Sequence, residues 1–361
     1  YRFNRILQQR ADNGTGKAWK TVNKSIGGDN TIRLRNRWQK DLVPQKAKYV
    51  VIALSLGNEG VHESGKIKFD QFKTNIAKLI TLARDSGYVP VLTNCYTRND
   101  FNATDYSYTQ QINKWINTLD VPSINLLGGV DNGKGNWAPA YWHDPGHPND
   151  AGHQELAYTI VPSLFDALNN GKPQPPIINT DNAGINIQTK QIAFKPDNVV
   201  HPFTTTITVK ANGKGDVLQL KDTTGNVGAI SITNKGLLEY TSPQYQKITG
   251  TMPINDGKWH TITLTHYYAR NQTHLYCDST LQGAVNEQIL VKELYLGDKE
   301  SKNITARNWL FYRAGMNAGE VAALTNNTLL KSSLELYAPL DEKQDVLSNL
   351  AQSTNTINWN K

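Results

Sequence analysis

The sequence predicts an α/β doubly wound parallel sheet followed by an all-β antiparallel sandwich of the jelly-roll kind. Three observations carry this. Through residue 170, short apolar runs alternate with stretches whose apolar residues recur at helical spacing, the rhythm of a parallel sheet layered with helices. Asn170-Gly171-Lys172-Pro173-Gln174-Pro175-Pro176 then breaks the chain with three prolines in four residues, which stiffen the backbone and forbid ladder pairing. Beyond it, short alternating segments are separated by turn signals at Asn212-Gly213, Thr224-Gly225, Asn234-Lys235-Gly236 and Asp256-Gly257, the pattern of a sandwich. A length of 361 residues fits two cores better than one. The expected organisation is 1–170 for the α/β domain, 171–179 for a linker, 180–345 for the sandwich and 346–361 for a C-terminal tail.

Residues 2–10 read as the end of a first helix, and Trp19 to Asn23 as a short strand running into Ser25-Ile26-Gly27-Gly28-Asp29. A helix is expected from Thr31 to before Pro44, where the ring blocks continuation. Lys48 to Leu56 is a near-continuous apolar run, as suits a central strand covered on both faces, and it ends in Gly57-Asn58-Glu59-Gly60. Phe69, Phe72, Ile76, Leu79, Ile80 and Ala83 share one helical face, and Gly87 closes that helix. Val89 to Thr93 reads as a strand, 105–119 as a helix, Ser123 to Leu126 as a short strand, and Asp150 to Asn169 as the last helix. In open α/β sheets the functional loops lie at the carboxyl ends of the strands. Three polar loops are expected to converge there: Gly27-Gly28-Asp29, Gly57-Asn58-Glu59, and the turn from Asp144 to His147.

Composition narrows the class. With 38% apolar and 19% charged residues the chain reads as a folded, water-soluble protein, no apolar run is long enough to span a bilayer, and the N-terminus does not read as a signal segment. The chain begins at Tyr1 rather than at a methionine, so a processed or trimmed form is expected. The net charge is +7, but Arg33, Arg35, Arg37 and Lys40 spread over much of a helix surface without interleaved aromatics, so no nucleic-acid partner is expected. Cys95 and Cys277 fall in different expected domains, which argues against a disulfide framework.

The stretch richest in chemistry is His143-Asp144-Pro145-Gly146-His147-Pro148-Asn149-Asp150-Ala151-Gly152-His153. A loop closed by Pro145 and Gly146 can turn the Asp144 carboxylate onto one imidazole nitrogen of His147, leaving the other free to take a proton from a nucleophile. The competing reading is a polar turn followed by a helix N-cap. His143 and His153 flank the base, but with no carboxylate or cysteine at ligand spacing beyond Asp144 they read as polar rim residues, and no metal is expected at this site. Trp137, Tyr141 and Trp142 just upstream are candidates for an aromatic substrate wall, or for packing on the last helix.

Taken together, three stretches resemble the SGNH/GDSL hydrolase family of esterases and acylhydrolases, over most of residues 1–170. Asn23-Lys24-Ser25-Ile26-Gly27-Gly28-Asp29 resembles its second block, which implies that Gly28 donates a backbone N–H to an oxyanion. Gly57-Asn58-Glu59-Gly60 resembles the third block, implying a side-chain donor at Asn58, with Glu59 standing where the family usually has aspartate. Asp144-Pro145-Gly146-His147-Pro148-Asn149 resembles the fifth, implying Asp144 as orienter and His147 as base. The resemblance implies a flavodoxin-like layer and acyl transfer without a cofactor. The family's first block, G-D-S, which supplies the serine nucleophile, does not occur in the chain. Ser25 and Ser55 are the nearest alternatives and read as structural. The expectation is therefore a strand ending in G-D-S encoded shortly before Tyr1, with Phe3, Ile6 and Leu7 giving the apolar face of the helix that follows it.

The second domain resembles the laminin-G-like, concanavalin-A-like sandwich family through Asp256-Gly257-Lys258-Trp259-His260-Thr261-Ile262-Thr263-Leu264, His274-Leu275-Tyr276-Cys277-Asp278, Phe311-Tyr312-Arg313-Ala314 and Ala318-Gly319-Glu320-Val321. Such domains often bind carbohydrate and sometimes calcium. Trp259 reads as a core residue of a buried strand rather than a sugar platform. The combined expectation is a carboxylic ester hydrolase acting on an acylated carbohydrate or another small ester, secreted, periplasmic or at the cell surface. The alternatives are a non-catalytic glycan-binding protein on a degenerate hydrolase scaffold, and a purely structural adhesion protein.

Overall fold

The chain opens with helix α1 (Arg2–Asp12), whose Ile6 and Leu7 are buried. In this computed structural model, which describes residues 2–187, 191–298, 300–341 and 347–359, the contacts divide the chain into two units, Tyr1–Ile160 and Val161–Lys361. After α1 the expected strand at 19–23 is not formed. Those residues run as irregular backbone, with Val22 and Ile26 about half exposed. A strand exists only through a ladder partner, and none is in register there among the described residues.

Asn30 then caps helix α2 (Thr31–Asp41) by accepting from the Arg33 N–H at 3.0 Å, and the chain leaves the helix through a short turn containing Pro44. Of the apolar run at 48–56 only β1 (Tyr49–Ile52) is extended; Ser55 ends it by capping a single helical turn, α3 (Leu56–Glu59), closed by Gly60 at φ +93°. Helix α4 (Val61–Asp85), β2 (Val89–Thr93), helix α5 (Ala103–Thr118) and β3 (Ser123–Ile124) follow, and the three strands form a parallel sheet in the order β1-β2-β3. The one-turn helix α6 (Leu127–Val130) leads to a small hairpin, β4 (Trp142–Asp144) and β5 (His147–Pro148), and then to α7 (Asp150–Tyr158). Helices α2, α4 and α5 pack into one group, with Trp38, Phe72, Leu79 and Ile112 in a common core with Ile52 and Leu92 of the sheet; α1, α6 and α7 form the other. The doubly wound layer is therefore present.

The helix expected over 150–169 is two helices, α7 and α8 (Leu164–Asn169), because Pro162 removes a backbone donor at the junction. The second unit begins with α8, upstream of the proline-rich stretch. It then runs through β6 (Ile185–Asn186), β7 (Ile192–Phe194), β8 (Phe203–Ala211), β9 (Gly215–Asp222), β10 (Val227–Ile232), β11 (Leu237–Thr241) and β12 (Lys247–Pro253). Next come β13 (Trp259–Tyr267), β14 (Gln272–Cys277), β15 (Thr280–Asn286), β16 (Val291–Leu296) and β17 (Ile304–Tyr312), then helix α9 (Ala318–Thr325), β18 (Leu334–Ala338) and β19 (Ile357–Trp359). They form two antiparallel sheets, β12-β11-β10-β9-β16-β7-β19 and β15-β14-β13-β8-β17-β18, with β6 added to β17. Phe194, Leu218 and Leu294 of the first meet Phe203, Leu264 and Phe311 of the second in one core. All four expected turn signals fall between consecutive strands.

Two expectations for this unit need amending. The C-terminal stretch is not a loose tail, since Ile357 is buried and β19 pairs antiparallel with β7. Trp259 is not a core residue: strand alternation turns His260, Ile262 and Leu264 inward, and the half-buried indole carries the Arg307 guanidinium 4.1 Å above its ring.

Candidate active site

The sequence Asp144-Pro145-Gly146-His147 folds as the tip of the β4–β5 hairpin, with Asp144 and His147 directly opposite each other in the ladder. That register brings the two side chains together. Asp144 Oδ1 accepts from the Gly146 N–H at 2.9 Å, which tightens the turn, and Nδ1 of His147 lies 2.8 and 3.0 Å from the two carboxylate oxygens. The bond to His147 and that from Gly146 hold the Asp144 carboxyl below the usual carboxylate range. The His147 side chain is 74% exposed, and its Nε2 makes no hydrogen bond among the described residues. An imidazole tethered through Nδ1 to a carboxylate, with Nε2 open, is arranged to accept a proton.

The hairpin is fastened from below. Its Pro145 carbonyl accepts from the Asn99 N–H at 2.8 Å and from Trp137 Nε1 at 3.1 Å, and the Asn149 side chain caps α7 through the Gly152 N–H. Trp137 therefore departs from the expected wall. It is 2% exposed and stacked on Tyr96 at 5.4 Å, so it supports the turn rather than facing a substrate. Trp142 is 42% exposed and Tyr141 half-buried. His143 and His153 are both exposed.

Of the two expected oxyanion donors, the Asn58 side chain reaches the carbonyl of Asp29, the residue after Gly28. Gly28 takes φ +73°, a conformation that favours glycine, and its N–H makes no hydrogen bond among the described residues. Asn58, on α3 just past the carboxyl end of β1, donates one amide hydrogen to the Asp29 carbonyl at 3.3 Å, and the primary amide carries a second. Glu59 fixes this junction. Its buried carboxylate accepts from the Thr31 N–H at 3.0 Å and the Thr31 hydroxyl at 2.7 Å at the start of α2, and from Gln71 on α4. A glutamate at this position spans from α3 to the N-terminus of α2, where a carboxylate is favoured. Ser55 is a buried N-cap bonded to the Gly57 N–H at 3.1 Å, and Ser25 lies on the exposed loop, as expected of structural serines.

Arg98 escaped the sequence reading. It lies on the loop after β2, where its guanidinium chelates Asp100 at 2.9 and 2.6 Å. A Cβ built on Gly57 would lie 2.5 Å from Arg98 Cδ, and one built on Gly146 would lie 3.3 Å from Arg98 Nη2. One arginine thus touches both the turn bearing Asn58 and the hairpin bearing His147, and its approach is closest at Gly57, where a Cβ would force it to shift. A second histidine–carboxylate pair, His62 Nδ1 to Asp105 Oδ2 at 2.7 Å, also went unforeseen. Asp105 is occupied in the capping box of α5, and its hydrogen bond raises the His62 pKa.

A parallel α/β layer with a carboxylate-held histidine on a hairpin beyond its last strand is a setting in which a hydrolase can place its base. Residues 1–155 match the model of the GDSL-like Lipase/Acylhydrolase family, so the N-terminal unit is similar to that family over nearly its whole length. A curated relative, the uncharacterized lipoprotein YqeF of Bacillus subtilis (strain 168), is 32% identical over 76 residues, which is 20% of this chain. The chain spans about a third of the length of that relative, 31%. Solved structures with similarity include a protein assigned to the G-D-S-L lipolytic family from Desulfitobacterium hafniense, 13% identical over 43% of this chain and 83% of that one, with a TM-score of 0.36. Others are the heptameric SAP-like pentraxin of Limulus polyphemus, 11% identical over 52% and 92%, TM-score 0.35, and domains LG4-5 of the mouse laminin alpha1 chain, 11% identical over 38% and 43%, TM-score 0.31.

Proposed function

We propose that the N-terminal unit is the catalytic layer of a serine ester hydrolase for small O-acyl esters, with a glycan O-acetyl ester as the substrate class. The observation that carries this is the Asp144–His147 hairpin, which orients the imidazole and leaves Nε2 open. In the proposed reaction His147 takes the proton of a serine hydroxyl as the serine oxygen adds to the ester carbonyl. The proton then passes to the departing alcohol, and the same steps with water release the acid. Asp144 keeps the imidazole in one tautomer and stabilises the imidazolium. The Gly28 N–H and the second amide hydrogen of Asn58 bind the oxyanion.

The serine is assigned to residues encoded before Tyr1. Two observations support that reading. Arg2, at the start of α1, pairs with Asp150 at 2.9 Å, so α1 begins beside the segment that follows His147. Val51 of β1 is 47% exposed beside a strand edge that has no partner among the described residues, which leaves room for one more strand. The glycan preference rests on the company of a lectin-like sandwich. A surface or secreted location is in keeping with the lipoprotein name of the curated relative.

The test uses the full gene product. An activated acetyl ester such as p-nitrophenyl acetate should be cleaved by the parent and not by His147→Ala. Equal turnover by the variant would remove the assignment, and an upstream sequence without a serine at a strand end would leave a non-catalytic relative.

A further inference from the structure

At one end of the sandwich, strand β13, the last residue of β14 and the turn after it place His260, Cys277 and Asp278 with one ligand atom each, all within 4.8 Å of one another. We infer that the imidazole Nδ1 of His260, the Cys277 sulfur and Asp278 Oδ2 form a binding site for a zinc-class divalent cation, with water as the fourth ligand.

The donor set decides the class of ion. Calcium takes an all-oxygen shell, whereas a thiolate with an imidazole and a carboxylate suits zinc and its neighbours. The geometry around the histidine supports the same choice. Nδ1 is hydrogen-bonded to Asp278 Oδ2 at 2.6 Å, a contact that an entering ion replaces as the two atoms part to about 3.3 Å, while Nε2 on the far side of the ring lies 3.0 Å from Asp256 Oδ1. An outer carboxylate that receives the remaining ring N–H is the arrangement that fixes a metal-bound imidazole. Asp278 is itself anchored, because its other oxygen accepts from the Thr261 N–H at 2.8 Å. The site is closed toward the core by fully buried Cys277, and the Asp278 and Asp256 side chains are 36% and 39% exposed, so an ion and its water can approach from their side.

Proton balance follows from the same contacts. Burial, with the Asp278 carboxylate adding to it, pushes the Cys277 thiol up to about 12, so the metal-free site holds a neutral thiol. Burial opposes the charged form of His260, but the bonds to Asp278 and Asp256 outweigh it and raise its pKa. Binding therefore displaces the thiol proton and the proton on Nδ1, and the sulfur and nitrogen lone pairs so freed go to the cation.

The experiment titrates the metal-free full chain with Co²⁺ and then displaces it with Zn²⁺. A thiolate-to-cobalt charge-transfer band at one equivalent, bleached by Zn²⁺, is expected. Cys277→Ser should abolish the band, and Asp256→Asn should keep it while weakening Zn²⁺ binding about 10–100-fold. No band with excess Co²⁺, or a band that persists in Cys277→Ser, overturns the site. X-ray absorption of the zinc-loaded parent needs no variant: one sulfur at about 2.3 Å with lighter ligands at about 2.0 Å supports it, and a shell without sulfur overturns it.

Discussion

In the proposed reaction Asn58 puts much of the oxyanion chemistry on one side chain. Its amide is held by a single bond to the Asp29 carbonyl, and the residue is exposed, so removing it should leave the fold nearly untouched. Asn58→Ala in the full gene product should lower kcat toward acetyl esters by about 10²–10³ with little change in the thermal midpoint. An unchanged kcat would mean that the amide serves only the Asp29 contact. At this scale the Asp144–His147 pair was legible because it closes within a four-residue segment, so spacing and turn chemistry suffice. Arg98 was not, because its meaning arises where three loops distant in sequence meet at Gly57 and Gly146. Trp137 stood open between a substrate wall and packing for a related reason. An aromatic beside a catalytic motif looks the same in sequence whether its ring faces solvent or, as here, lies under the turn with its N–H on the Pro145 carbonyl.

Among the elements, the one-turn helix α3 is held in place largely from outside itself. Isolated helices so short are not stable, and Glu59 ties this one to the start of α2 and to α4. Glu59→Ala would strand the buried Thr31 N–H and leave the Thr31 hydroxyl only the bond it accepts from Asn75, and an unpaired buried group costs about 1–3 kcal/mol. A urea melt of the parent and variant should show a loss of at least that size, and a loss under about 0.5 kcal/mol would place the junction's stability elsewhere. Element type was readable wherever periodicity was long, as along α4, and failed where a neighbour decides. Residues 19–23 have the composition of a strand but no ladder beside them among the described residues, whereas Pro162 is a readable stop inside the run expected as one last helix.

For the whole molecule, the two units have separate cores, and the second includes α8 and the C-terminal residues. Ser163 Oγ meets Ser353 Oγ at 3.2 Å and Lys172 Nζ donates to the Ser353 carbonyl at 2.6 Å, so the chain before the prolines is bound into the sandwich unit. A fragment 161–361 should melt cooperatively, and one starting at 177 should melt at lower temperature, because it lacks both contacts. Equal midpoints by calorimetry would return the boundary to the proline stretch. Compositional breaks located the change of architecture but not the boundary, since the prolines mark stiff backbone and say nothing of which residues close over a core.

The hairpin that carries Asp144 and His147 has a consequence for inheritance. Closing so short a loop costs little chain entropy, whereas Gly28 and Asn58, the donors proposed for the oxyanion, flank a junction that Glu59 must tie to α2 and α4. Drift elsewhere in the layer would thus disarm the proposed oxyanion side first and leave the histidine and aspartate standing. In any descendant of this chain, a surviving Asp144–His147 pair would be weaker testimony of a living enzyme than an intact Glu59 anchor.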